Sequence, residues 1–231
     1  MGKLDTKQKL YFEDPKRFAD AWNGVLYGGR KVIAWEELLE VDSVLTYADQ
    51  GHSLERIGDA VFKRTAGGEE LAILILENQG SIDYSMPARI FMTEALAYDK
   101  QVRAIKQKNK RDYEAYGKKG PIGAYLYRFR REDKLRPVYT LVLWWNTAEW
   151  DGARSLHEMI DFRGTEEMKG LVPEYPIHLV DMRKIRDEKV FQTDLRTMVA
   201  LFQKKKDKVA FKEYCDNCEE KYKLVGDAML A

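Results

Sequence analysis

The chain has 231 residues, enough for one large domain or a core with an appended layer, and its composition of 45% hydrophobic and 33% charged residues with six prolines excludes a disordered or fibrous protein. Lys and Arg (39) nearly balance Asp and Glu (38), so net charge does not speak for or against a polyanionic partner and only the local distribution of charge can. The longest apolar runs, Leu71 to Leu76 and Leu141 to Trp145, fall far short of the roughly 20 residues a membrane-spanning helix needs, so no membrane partner is expected.

The opening MGKLDTKQKLYF lacks the apolar stretch of a secretory signal, and the chain is expected to be cytoplasmic. Residues 14 to 27 place Asp14 at an N-cap and Pro15 just inside, then set Phe18, Trp22 and Val25 or Leu26 on one face of a first helix, which Gly28 and Gly29 end. A short helical piece is expected at Trp35 to Leu39, and extended chain around Asp42 to Tyr47. Arg56 to Gln79 reads as a hairpin: Asp59 to Arg64 is β-compatible, TAGGEE supplies the turn, and LAILILE is a buried strand. Residues 84 to 112 carry apolar positions at helical spacing, from Ile90 through Ala95, Tyr98 and Val102 to Ile105, with no breaker after Pro87, which predicts the long helix.

Pro137 leads into a second apolar strand, VYTLVLWWN, and a loop and helix over WDGARSLHEMID precede a further strand at 176 to 182. Leu195, Met198, Val199, Leu201 and Phe202 mark a helix from Asp194 to about Lys208, followed by a helical tail. The order predicts an α/β protein with a mixed β-sheet flanked by helices, in one domain over 1–231: a core at about 14–145 and a C-terminal strand and helical extension at about 146–231. No glycine-rich phosphate loop follows any strand. Cys215 and Cys218 form a C-x-x-C without a second ligand pair, which reads as free thiols on a late helix.

The chemistry is concentrated at the end of the most hydrophobic strand. Period-two alternation sets Glu77 and Gln79 on one face with Leu71, Ile73 and Ile75. A hairpin symmetric about TAGGEE brings Asp59 opposite Glu77, and two carboxylates so placed repel. A cation between them relieves the repulsion: Mg²⁺, with Mn²⁺ as a substitute, suits two carboxylates, the backbone carbonyl of Asn78 and waters. Such an ion polarises a phosphoryl oxygen and lowers the pKa of a water, the two demands of phosphodiester hydrolysis. The bland alternative is that Arg56 or Arg89 pairs with these carboxylates in a purely structural site.

RIGDAVFK (56–63), LAILILENQGSIDYSMPARI (71–90) and ALAYDKQVRAI (95–105) resemble the core of the Rpn family of recombination-promoting nucleases and transposase-like proteins. FADAWNGVLYGG and the segment from Phe129 to Asp161 are similar to clostridial-type members, so the resemblance spans most of residues 8 to 210. It implies a restriction-endonuclease-like fold of the PD-(D/E)xK superfamily and a metal-dependent DNA endonuclease linked to recombination or mobile elements, with phage defence as a further role. It also implies Asp59 and Glu77 as the catalytic, metal-holding carboxylates and Gln79 in the place of the superfamily lysine. Gln orients by neutral hydrogen bonds where Lys carries charge.

A second departure is Gly58, where similar sequences read Arg. Superfamily members commonly add a carboxylate from the first helix; Asp20 is the candidate metal ligand, with Asp14 and Asp42 as competitors. Arg56, Arg89 and Gln101, the last with Tyr98 beside it, are candidate DNA-binding residues, Arg89 being equally suited to an ion pair with Glu77 or Asp83. The basic run Lys100, Arg103, Lys106, Lys108, Lys110, Arg111, extended by Lys118 and Lys119, is either a nucleic-acid track or a solvated helix face, and Tyr113 and Tyr116 either stack on bases or pack. His157, lacking a partner, reads as a structural hydrogen bonder; His52 and His178 carry no signal. The alternative reading of the whole is a catalytically weak DNA-binding or assembly protein. Self-association into a homo-oligomer is left open.

Overall fold

The computed structural model describes residues 10–41, 44–49, 52–116, 126 and 128–216; for 44–57 and for Tyr116 the description is of the backbone only. Helix α1, Pro15–Tyr27, starts as its sequence dictates: Asp14 is extended (φ −72°, ψ 117°) and its carboxylate accepts the Lys16 N–H at 2.8 Å, while Pro15 occupies a position whose N–H has no helical partner. Gly28 ends it in the left-handed region (φ 60°), where a side chain is disfavoured. Asn23, buried in the helix, folds the chain back. Its Nδ2 donates to the Ile33 carbonyl at 2.8 Å, and its Oδ1 accepts from Val32 and Ile33 N–H at 3.0 and 2.9 Å.

A single tight turn, Trp35–Glu37, then enters β1 (Leu38–Glu40), so Leu38 and Leu39, the end of the expected helical piece, are strand. Strands β2 (Val44–Asp49) and β3 (His52–Ile57) form a separate antiparallel hairpin, and Arg56 lies on it rather than on the strand that follows Asp59. The expected hairpin consists of β4 (Ala60–Ala66) and β5 (Glu69–Gln79), joined at Gly67 and Gly68. Helix α2 runs from Met86 to Tyr116, past the expected end, and β6 (Val138–Trp144) and β7 (His178–Asp181) complete the strands. The 150–161 segment contains only a single turn at His157–Met159, not an α-helix, and a two-turn 3-10 helix follows at Glu166–Leu171. The last helical stretch is divided into α3 (Leu195–Lys204) and α4 (Lys208–Asp216), the latter carrying free Cys215; Cys218 lies outside the described residues.

The fold is α/β: a five-stranded mixed sheet of order β1-β4-β5-β6-β7, flanked by helices. The β1/β4 and β4/β5 pairs are antiparallel; β5/β6 and β6/β7 are parallel, and α2 bridges the β5-to-β6 crossover. Even-numbered residues of β5 (Ala72, Leu74, Leu76) pack with Phe18 and Trp22 of α1 and with Leu195 and Val199 of α3. Odd-numbered Ile73 and Ile75 pack with Val61, Val138 and with Leu96 and Ala97 of α2. Each fully buried side chain of this kind contributes about 1.5–3 kcal/mol. Both faces of β5 are therefore covered, which explains its continuous apolar run and leaves its last residues, Glu77 and Gln79, beneath the start of α2.

Candidate active site

The β4/β5 register pairs Ala60 with Leu76 and Val61 with Ile75, and one further step sets Asp59 opposite Glu77. Asp59, Val61, Ile75, Glu77 and Gln79 therefore share the α2 face of the sheet. The Asp59 carboxylate accepts the backbone N–H of Asn78 through Oδ2 at 2.6 Å, a charge-assisted bond that continues the ladder past the end of β4. Since the N–H and C=O of a strand residue point to the same side, the Asn78 carbonyl also faces the Asp59 side. The Gln79 carbonyl faces the other way and accepts the Trp145 N–H at 2.8 Å.

Glu77 has no exposed side-chain surface, and its Oε2 accepts from Arg89 Nη2 at 2.8 Å. The Arg89 guanidinium also reaches Asp83 at 3.6 Å. Burial pushes the Asp83 carboxyl up, but bonds from the Ser85 hydroxyl and backbone N–H and the charge of Arg89 outweigh it, holding the group below the usual carboxylate range. Arg89, one turn into α2, thus supplies positive charge to a buried carboxylate. Gln79 is buried, and among the described residues no group hydrogen-bonds its side-chain amide. Asn78 turns its side chain to the opposite face, where Oδ1 accepts from Trp145 Nε1 at 3.1 Å.

Gly58 has a packing reason. A Cβ there would meet Ile75 Cγ2 at 2.7 Å and Val61 Cγ2 at 3.0 Å, so the arginine of similar sequences does not fit this backbone without displacing the core beneath the site.

Other expected site residues have structural duties. The buried carboxylate of Asp20 accepts from Gln192 N–H (2.8 and 2.9 Å), Thr193 N–H (2.7 Å) and Thr193 Oγ1 (2.6 Å), which ties α1 to the approach to α3 and commits the oxygens a metal would need. Gln101 stands about 18 Å along the helix axis from Arg89. Its amide brackets the backbone of Arg136, donating to the carbonyl at 3.1 Å and accepting the N–H at 2.7 Å, while Tyr98 Oη accepts the Val138 N–H at 3.2 Å. Together they dock the approach to β6 on α2. His157 bonds the Val172 carbonyl through Nε2 (2.7 Å) and Glu174 through Nδ1 (3.0 Å), a loop tie away from these carboxylates. Tyr113 is buried under the Arg130 guanidinium, 5.1 Å from its ring, and is unavailable for stacking. Lys106, Lys108 and Arg111 are exposed, whereas Arg103 pairs with Asp99 (2.7 Å) and Lys110 with Glu114 (3.7 Å). Lys118, Lys119 and Asp42 lie outside the described residues, as do the side chains of His52, Arg56 and Tyr116.

Sequence reasoning missed two carboxylates. Glu13 and Glu40 line a cavity of about 280 Å³ together with Asp59. Glu13 stands immediately before the N-cap of α1, a place that a search confined to the helix passes over. Among the described residues no three His, Cys, Asp or Glu side chains are gathered closely enough to ligate a metal ion. The oxygens of Asp59, Glu77 and the Asn78 carbonyl are nevertheless hard donors of the type Mg²⁺ prefers, so the donor chemistry fits even though Glu77 is shared with Arg89.

Residues 122–225 match the family model described as "Putative transposase, YhgA-like". The match covers less than half of the chain and lies C-terminal to Asp59, Glu77 and Gln79, taking in β6, β7 and α3. The likeness is confined to this part of the chain. No curated protein and no solved structure matches the chain. Among the described residues no helix is long and apolar enough to cross a membrane.

Proposed function

We propose that the protein is a metal-dependent DNA endonuclease whose active centre is Asp59, Glu77 and Gln79. The observation that carries this reading is the β4/β5 register: it sets Asp59 across from Glu77 and puts Gln79, with an uncommitted amide, on the same face. The transposase-like match supports DNA as the substrate class. The resemblance to the Rpn family supports hydrolysis of its phosphodiester backbone.

In this reading Asp59, Glu77 and the Asn78 carbonyl hold Mg²⁺, with Glu13 from the shared cavity in the role expected of Asp20. When bound, the ion supplies charge to a phosphoryl oxygen and acidifies a water. The Gln79 amide orients the attacking water by hydrogen bonds, and Arg89 answers the charge of the buried Glu77 carboxylate. The Asn78 N–H bond fixes one oxygen of the Asp59 carboxylate, a group that lines the cavity.

A second reading has one observation in its favour. Arg89 already answers the charge of Glu77, and Gln79 brings none of its own, which suits a DNA-binding or assembly protein with weak turnover. Nicking of supercoiled plasmid by wild type and Asp59→Ala, each with Mg²⁺, Mn²⁺ or EDTA, separates the two. Metal-dependent nicking lost in Asp59→Ala with DNA binding retained supports the nuclease; DNA binding without nicking in any condition supports the second reading.

A further inference from the structure

Beside the candidate centre, on the same face of the sheet, lies a larger cavity of about 350 Å³ between α2 and β4. Its floor is aliphatic: Val61, Ile73 and Ile75 of the sheet, and Ala97, Ala104 and Ile105 of α2. Its rim is basic. Lys63, Lys100, Lys134 and Arg136 surround it, against one carboxylate, Glu70, which Lys63 neutralises at 2.6 Å.

The floor begins where the candidate centre ends. Ile75 is the next same-face position after Glu77 on β5, and Val61 the next after Asp59, a step of about 7 Å along a strand. That is the reach of one nucleotide in an extended single strand. The charge pattern identifies the occupant. A fatty acid or other apolar monoanion needs one cation; here Lys100 and Lys134 make no ion pair among the described residues, Arg136 reaches Glu69 only at 3.8 Å, and exposed Lys108, one turn beyond Ala104 on the same face of α2, adds a further positive charge. An apolar slot with repeated cations along its margin suits the flat faces of a base, whose polar edge stays at the rim, on a chain of phosphates.

We propose that this cavity is a nucleobase subsite: it receives an unpaired base of the DNA strand engaged at the Asp59–Glu77 centre, while Lys100, Lys134 and Arg136 hold the flanking phosphates. The inference rests on the reading of DNA as substrate and narrows it to strands with an unstacked nucleotide, namely single strands, flaps and junctions, because a base stacked in intact duplex cannot enter.

The test uses the full chain in EDTA, so that binding is read without cleavage, with a single-stranded oligonucleotide carrying 2-aminopurine and the corresponding duplex. The single strand binds at least tenfold more tightly than the duplex, and its fluorescence rises as the base leaves its stacking neighbours. Ala104→Leu, at an exposed and helix-compatible position, fills the slot, abolishes the rise and removes the preference while duplex affinity stays unchanged. Lys100→Ala with Lys134→Ala lowers the slope of log affinity against log salt by about 1.4, at roughly 0.7 per phosphate contact. Equal affinity for both DNAs, or a fluorescence rise that survives Ala104→Leu, overturns the subsite and leaves the nuclease reading intact. Absence of binding to either DNA overturns the subsite, and metal-dependent nicking then decides the nuclease reading by itself. A normal base response without metal-dependent nicking overturns the nuclease reading alone.

Discussion

Removing the Arg89 guanidinium while keeping its length, as Arg89→Met, takes a charged hydrogen-bond donor from the buried Glu77 carboxylate at the end of a covered strand. Glu77 has no side-chain exposure and Arg89 is 27% exposed, so the pair is buried on one side and partly hydrated on the other. Breaking a fully buried pair costs about 3–5 kcal/mol, and the residual hydration of Arg89 moves the expectation to roughly 2–4 kcal/mol. With a urea slope of about 2–3 kcal/mol per molar for a chain of this size, the unfolding midpoint should fall by about 1 M. Glu77→Gln in the same chain should recover most of that loss, because the uncompensated charge is gone. If Asp59 and Glu77 hold Mg²⁺, the ion should also stabilise Arg89→Met, by roughly 1.4 kcal/mol at ten times its dissociation constant. Chemical denaturation of the two single variants and the double variant, with Mg²⁺ and with EDTA, measures all of this. A loss below about 0.5 kcal/mol in Arg89→Met, or a double variant no better than the single, would refute the assignment of Arg89 as charge partner.

We predict that Asp20→Ala lowers stability by about 2–4 kcal/mol, because it releases the Gln192 and Thr193 donors, and leaves metal affinity unchanged; titration calorimetry with Mn²⁺ that registers a lost site would restore Asp20 as a ligand. Gly58→Ala should cost about 1–3 kcal/mol through Ile75 and Val61, measured by thermal unfolding, and an unchanged midpoint would mean that the core yields. Burial raises the Asp181 carboxyl, but bonds from Arg183 and the charges of Arg183 and Lys184 outweigh it, so its folded-state pKa is depressed, as is that of Asp83. Their stabilisation is complete above the ordinary aspartate value of about 3.9 and disappears as pH falls through the lowered values; Asp181→Asn should therefore flatten the acid limb of stability against pH, and an unaltered limb would contradict it.

Local signals made much of this protein legible. Asp14, Pro15 and Gly28 announced α1 because capping acts over a few residues, and the β5 run announced a covered strand because alternation and hydrophobicity belong to the strand itself. The pairing of Asp59 with Glu77 could be read because a short glycine turn fixes the register of the strands it joins. The chain expected to be extended around Asp42 to Tyr47 includes the start of β2, but its partner β3 carried no signal in the polar HSLERI, and the 150–161 segment, expected to hold a helix, makes only one turn.

What the tertiary structure alone decided is which partner each charged or polar side chain found. Asp20 had the composition of a metal ligand and became the anchor of residues 192–193; Gln101 was expected on DNA and clasps Arg136; Arg89 could have met a phosphate and instead meets Glu77. Glu13 and Glu40 joined Asp59 around one cavity from distant parts of the chain. The sequence by itself determined most of the elements, the mixed sheet and the shared face of Asp59, Glu77 and Gln79, since those follow from periodicity and turn geometry within some twenty residues. Assigning the remaining carboxylates, amides and cations required the packed helices, because hydrogen bonds and ion pairs form over a few ångströms in space and carry no mark in the local sequence of which distant group will arrive.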